Sequence, residues 1–183
     1  MLDWLNRRYP ELPLRLHLGC GDFLLPHGDG WYNIDQRGGP GVDRVDNIGM
    51  LRRFPAGCAD VIYCSHALDH FSRWEYVRVL ERWHEILRPN GELWISTIDF
   101  AIVAELYSKG QATMRELTGA LAAAQDYPSN VRHVHFDQTM LTEDLHKVGF
   151  KTTYRTEDAF FLEDCSAAKI GEQHISLNVI ATK

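Results

Sequence analysis

The sequence predicts one α/β domain spanning residues 1–183, built on a largely parallel sheet with helices on both faces. Three observations carry this reading. Short apolar, β-branched runs alternate with longer segments of helical period. Two of the early runs end in residues that bear chemistry, Gly19-Cys20-Gly21 and Asp35. The chain closes with two strand-like runs that have no helix between them, which predicts a terminal hairpin.

Residues 14–20 read as a first buried strand, 31–35 as a second and 42–45 as a short third. The run 59–64, Ala-Asp-Val-Ile-Tyr-Cys, follows the turn-like Pro55-Ala56-Gly57 and is the clearest strand. A helix follows, with Ser72 and Glu75 spaced as a capping box. Tyr76, Val79, Leu80, Trp83, Ile86 and Leu87 form its apolar stripe, and Pro89-Asn90-Gly91 ends it. A strand over 92–98 ends at Asp99. Helices are expected over 100–107 and 112–124, with Gly119 weakening the second. Asp137 is placed to cap a last helix carrying Met140, Leu141, Leu145 and Val148, closed by Gly149. The final strands are expected over 151–155 and 174–182. Their connection, 157–173, is long for a hairpin and reads as a lid or an interaction surface.

Composition narrows the function classes. The 183 residues contain 45% hydrophobic and 24% charged side chains, with a formal net charge of −6. No cluster of five Lys or Arg residues occurs, which disfavours a nucleic-acid partner. No apolar run reaches the ~18 residues that span a bilayer. Residues 1–10 lack the apolar core of a signal peptide and read as a short helix stopped by Pro10. The four cysteines have no Cys-x-x-Cys spacing, so a zinc site is disfavoured and a reduced, cytoplasmic protein is expected. No repeat or linker interrupts the chain, and a homodimer is left open.

The glycine pair and Asp35 point to a nucleoside. Glycines at a strand exit let the backbone approach a ligand, and an ionised carboxylate accepts hydrogen bonds from both ribose hydroxyls. A dinucleotide is disfavoured, because Leu24 stands in the third glycine slot and 23–30 leaves no room for a pyrophosphate-holding helix.

Leu16-His17-Leu18-Gly19-Cys20-Gly21, then Gly30-Trp31-Tyr32-Asn33-Ile34-Asp35, resembles the class I S-adenosylmethionine-dependent methyltransferases. It is most similar to a small bacterial, type 11-like branch often found in surface-polysaccharide biosynthesis. The likeness continues through Asp60 to Phe71, Ile86 to Leu93 and Asp137 to Phe150, nearly the whole chain. It implies a Rossmann-like seven-stranded sheet whose last strand is antiparallel, with S-adenosylmethionine as cofactor. Gly19, Cys20 and Gly21 would then lie under the methionine and ribose, Asp35 would bind the ribose, and Asn47 and Ile48 would border the adenine. Ser65 and His66 would border the methionine end. The chain departs from the family at His17, where an acid or Asn is common near the methionine amino group, at Asp69, and at Asn90 in a turn that is usually glycine.

The expected activity is methylation, by preference O-methylation, of a small molecule or a sugar or polysaccharide precursor. A hydroxyl acceptor needs a general base, and histidine suits that role. His135 and His133 are the first candidates, His70 the third and Asp99 a further one. His133 and His135 alternate onto one face, but no third ligand accompanies them, so no metal is expected. Tyr127 is the aromatic residue expected to contact the substrate. The rival readings are a dehydrogenase and a non-catalytic S-adenosylmethionine-binding or regulatory protein on the same fold.

Overall fold

The computed structural model describes residues 13–183; the expected lead-in helix over 1–10 lies outside them. The main sheet has seven strands: β1 (Arg15–Leu18), β2 (Trp31–Asp35), β3 (Arg44–Val45), β4 (Ala59–Ser65), β5 (Leu87–Ile98), β6 (Thr152–Thr156) and β9 (Ser176–Thr182). Their order is β3-β2-β1-β4-β5-β9-β6. The first five are mutually parallel, while β9 runs antiparallel to β5 and β6. This is the expected sheet with its last strand reversed. A small hairpin, β7 (Lys169–Ile170) with β8 (Gln173–His174), stands apart from it.

Period-2 alternation sorts the strand residues onto two faces. Leu16, Leu18, Ile34, Ile62, Cys64, Leu93, Ile95, Leu177 and Val179 build the main core. Two helices cover them, α1 (Tyr76–Ile86) and α4 (Gln138–Lys147), through Leu80, Trp83, Leu141 and Leu145. The other face is organised differently. Helices α2 (Phe100–Ser108) and α3 (Met114–Ala122) pack around Ile98 and Ile175 at its carboxyl end. Its middle is covered by aromatic side chains: Trp31, Tyr63 and Trp94 meet Phe23, Phe160 and Phe161. A single 3-10 turn, His27–Asp29, is all the helix between β1 and β2.

The segment 157–173 is therefore a docked wall and not a loose lid. Phe160 stacks on Trp94 at 5.8 Å and 11°, and Phe161 packs edge-on against Tyr63 and Trp31. Asn178 on β9 donates to the carbonyls of Asp158 and Ser166. A 3-10 turn, Cys165–Ala167, is capped by Asp164, whose Oδ1 accepts from Ser166 N at 2.7 Å.

Local differences from the expected elements have local causes. Helix α1 begins at Tyr76, because the Ser72 carbonyl accepts from both Glu75 N and Tyr76 N in a preceding turn. Glu75 still reaches back to Ser72 N at 3.2 Å, which is half of a capping box. The complete box belongs to α3, from Thr113 and Glu116. Strand β5 begins at Leu87, directly after α1, and Asn90 holds φ +62° in the turn, a conformation that asparagine tolerates. Asp137 caps α4 as expected, its Oδ1 accepting from Met140 N at 2.8 Å. Among the described residues no helix is long and apolar enough to cross a membrane.

Candidate cofactor-binding and active site

A cavity of about 820 Å³ opens beyond the carboxyl ends of β1, β2 and β4. Every residue expected to border the cofactor lines it: His17, Gly19, Cys20, Gly21, Asp35, Asn47, Ile48, Ser65 and His66. The neighbouring strand ends converge because β1 pairs with both β2 and β4.

The glycines are required by the turn that leaves β1. Gly19 N donates to the Ile34 carbonyl at 2.8 Å, so the chain turns while still tied to β2. Gly19 holds φ +69°, and a Cβ there would lie 2.7 Å from the Ala67 Cβ. Gly21 N donates to Asp35 Oδ2 at 2.8 Å, and Arg37 N donates to Asp35 Oδ1 at 2.8 Å. Asp35 is buried and oriented by these two bonds. A carboxylate has about four lone-pair positions, so both oxygens keep acceptor capacity for a diol. Arg37 spreads over the Tyr127 ring at 4.4 Å, joining the Asp35 side of the cavity to the loop after α3.

Two buried histidines face this space. His17 Nδ1 donates to Asn33 Oδ1 at 3.0 Å, and its ring stacks on Tyr63 at 5.2 Å. Burial lowers its pKa to about 4, so it is neutral at pH 7. His66 holds φ +49° and is likewise pushed down to about 4 by burial. Its Nδ1 accepts from Arg132 at 3.0 Å, which leaves Nε2–H to donate to Ser176 Oγ at 3.1 Å. Both ring nitrogens are thereby committed. Cys20 is buried in the cavity wall, and desolvation pushes its thiol up to about 12, so it is no nucleophile.

The general-base candidates separate. His70 lines the cavity, and its Nδ1 donates to the Ser129 carbonyl at 3.2 Å. Its Nε2 lies 3.7 Å from Asp69 Oδ1, a buried oxygen with no hydrogen-bond partner among the described residues. His133 and His135 do not line the cavity. His133 is exposed, and its backbone N–H bonds the Asp69 carbonyl. The His135 ring stacks on Phe100 at 5.8 Å, and burial lowers its pKa. The alternation of 131–136 does not extend into a strand; Phe136 makes one isolated bridge to Asp99. Asp99 is committed elsewhere: it caps α2 through Ala101 N and pairs with Arg155 at 2.8 Å.

Sequence reasoning missed three residues here. Arg132 Nε meets Asp69 Oδ2 at 2.6 Å, and Asp69 is fully buried. Asp164 lines the cavity from the 157–173 wall and accepts from the Tyr63 hydroxyl. Asp69 was visible only as a substitution before His70, and nothing local marks Arg132 or Asp164, whose partners lie far away in sequence. Tyr127, read as a substrate contact, does line the cavity. Among the described residues no three His, Cys, Asp or Glu side chains converge on a metal position.

Residues 36–95 match the family model described as a methyltransferase domain. No curated protein matches the sequence. Several solved structures share the fold at low identity. One is an S-adenosylmethionine-dependent methyltransferase from Archaeoglobus fulgidus, 15% identical, with a TM-score of 0.59 over 97% of this chain and 91% of that one. Another, from Mesorhizobium loti, is 17% identical with a TM-score of 0.60, covering 100% of this chain and 98% of that one. A third is the Burkholderia thailandensis 1,6-didemethyltoxoflavin-N1-methyltransferase, with bound 1,6-didemethyltoxoflavin and S-adenosylhomocysteine. It is 16% identical with a TM-score of 0.60, covering 98% of this chain and 75% of that one. The chain thus has the fold of S-adenosylmethionine-dependent methyltransferases, and its residues 36–95 are similar to the methyltransferase-domain family.

Proposed function

We propose that this protein transfers a methyl group from S-adenosylmethionine to a small molecule, by preference to a hydroxyl of a sugar or polysaccharide precursor. The observation that carries the reading is the union of Gly19, Gly21, Asp35 and His70 in one cavity of about 820 Å³, within the ~300–1,000 Å³ common for small-molecule sites. The residues fit the cofactor: the Gly19 exit is held open by a contact that any side chain would violate, and Asp35 presents two oriented acceptors.

When bound, S-adenosylmethionine supplies a methyl group on a sulfonium, an activated leaving group. Asp35 would hold the ribose hydroxyls, Asn47 and Ile48 would border the adenine, and the backbone of Gly19, Cys20 and Gly21 would pass beneath the ribose and methionine. His17, Ser65 and His66 would wall the methionine end. With His66 committed at both nitrogens, acid–base work falls to His70. Its Nδ1–H is fixed on the Ser129 carbonyl, so Nε2 carries the lone pair that takes the acceptor's proton. Asp69 Oδ1 stands beside that nitrogen and would stabilise the imidazolium. His133 and His135 enter this scheme only if the surrounding loop moves.

The four cysteines are free, which fits the reduced, cytoplasmic setting expected from the sequence. A screen of sugars, sugar nucleotides and other hydroxyl acceptors with radiolabelled S-adenosylmethionine tests the activity. Label transfer to a hydroxyl supports the reading. Transfer to nitrogen corrects the acceptor atom, and tight cofactor binding with no transfer to any class favours the non-catalytic alternative.

A further inference from the structure

We propose that Asp164 supplies the negative charge that holds the cationic methionine end of S-adenosylmethionine, a role that β1 does not fill because position 17 is a neutral histidine. The inference rests on the cofactor reading above.

Strand order fixes the direction of the ligand. Asp35 ends β2, and Asn47 and Ile48 follow β3 on one side of it. With the ribose on Asp35 and the adenine toward β3, the 5′ substituent runs the other way, toward β1 and β4. The side chains there are His17, Ser65 and His66, none of them charged at pH 7. S-adenosylmethionine carries two cations in this part, the sulfonium and the ammonium, against a single carboxylate of its own, and desolvating the uncompensated positive charge is expensive.

Asp164 stands at that point of the wall. Its Oδ2 accepts from the hydroxyl of Tyr63 on β4, and the Tyr63 ring lies stacked on His17. Its Oδ1 accepts from Ser166 N at 2.7 Å. Ser166 Oγ donates to the same Oδ1, so these contacts orient the carboxylate before any ligand arrives and leave one lone pair, on Oδ2, for it. Tyr63 on β4 is paired in register with His17 on β1, so the carboxylate held by the Tyr63 hydroxyl stands beside these two strands. The other carboxylates on the cavity are placed less well. Asp35 is occupied at the ribose position, and Asp22 and Glu163 are exposed. The cations on the cavity do not neutralise Asp164: Arg132 is paired with Asp69, and Arg37 lies by Asp35 and Tyr127. The long β6–β9 connection thereby gains a purpose, carrying a counter-charge to the cofactor across the aromatic face.

Calorimetric titration of the full chain with S-adenosylmethionine and with uncharged 5′-methylthioadenosine tests this, in the wild type, Asp164→Asn and Asp164→Glu. We expect Asp164→Asn to weaken S-adenosylmethionine roughly 10–100-fold, the range for a charged hydrogen bond, and to leave 5′-methylthioadenosine within about twofold. Asp164→Glu should restore part of the loss. Equal loss of both ligands in Asp164→Asn and in Asp164→Glu would mean that Asp164 only holds the wall, and unchanged S-adenosylmethionine affinity would mean that the charge is irrelevant; either overturns the proposal. A wild type that binds neither compound overturns the cofactor reading itself.

Discussion

Arg132 and Asp69 form a buried ion pair with Nε 2.6 Å from Oδ2, across 63 residues of sequence. The same guanidinium donates to His66 Nδ1 at 3.0 Å and to the Gly119 carbonyl at 3.2 Å. One side chain therefore joins the turn after β4 to α3. Removing it leaves Asp69 charged and buried without its cation, a change that costs about 3–5 kcal/mol. Arg132→Ala should lower the unfolding free energy by that order in urea titrations, and Arg132→Lys should lose less, since it keeps the charge without the fork. A loss below about 1 kcal/mol in Arg132→Ala would show that the pair contributes little.

Gly19→Ala should be damaging out of proportion to one methyl group. The position holds φ +69°, and the new Cβ would meet Ala67 at 2.7 Å. The left-handed backbone alone costs a non-glycine residue about 1–2 kcal/mol. The expected outcome is a lower thermal midpoint together with weakened binding of adenosyl compounds, read by differential scanning fluorimetry with and without ligand. Unchanged midpoint and binding would contradict the tight strand exit.

Stability should fall as the medium is acidified from pH 6.5 toward 4. His17 and His66 are held neutral, chiefly by burial, with pKa lowered from 6.5 to about 4. The unfolded chain protonates these rings near pH 6.5, so between the two values it binds more protons than the folded chain. Their stabilisation is complete above 6.5 and is lost as pH falls through 4, by roughly 3 kcal/mol for each ring at the limit. Urea unfolding at pH 7.5, 5.5 and 4.5 measures the slope, which His17→Asn should make shallower. An unfolding free energy that stays flat across this window would refute the neutral assignment.

If His70 is the base, its removal should appear in turnover and spare cofactor affinity. His70→Ala should reduce kcat about 10²–10⁴-fold. His133→Ala should stay within about twofold of wild type, because that side chain is exposed and outside the cavity. The assay is initial-rate kinetics on an acceptor found by the screen. Equal losses in His70→Ala and His133→Ala would return the histidines of the 131–136 segment to the chemistry.

What the sequence disclosed followed the range of the interaction. Strand β2 appears over the expected residues, and α4 carries its expected Asp137 cap, because both are written in local pattern and a single side-chain bond. The Gly19–Gly21 exit and Asp35 were legible for the same reason: each stands at the end of an apolar run. The histidines of 131–136 misled because alternation says which side chains share a face, not whether that face meets the cavity. Here Val134 and Phe136 turn inward instead, and Phe136 packs on Tyr76. The partners of Asp69 and Tyr63 were illegible. Arg132 and Asp164 reach them from 63 and 101 residues away, and only the assembled fold brings them together. The aromatic cover of the second face was hidden likewise, since Phe160 and Phe161 lie in a segment without period.

The central claim is that the cavity beyond β1, β2 and β4 is an S-adenosylmethionine site whose ribose rests on Asp35. Calorimetric titration of the wild type and Asp35→Ala with S-adenosylmethionine, S-adenosylhomocysteine and NAD tests it most directly. The account predicts saturable binding of both adenosyl compounds, none of NAD, and affinities lowered roughly 10–100-fold in Asp35→Ala. Absence of adenosyl binding at millimolar ligand, or affinities untouched by Asp35→Ala, would contradict it.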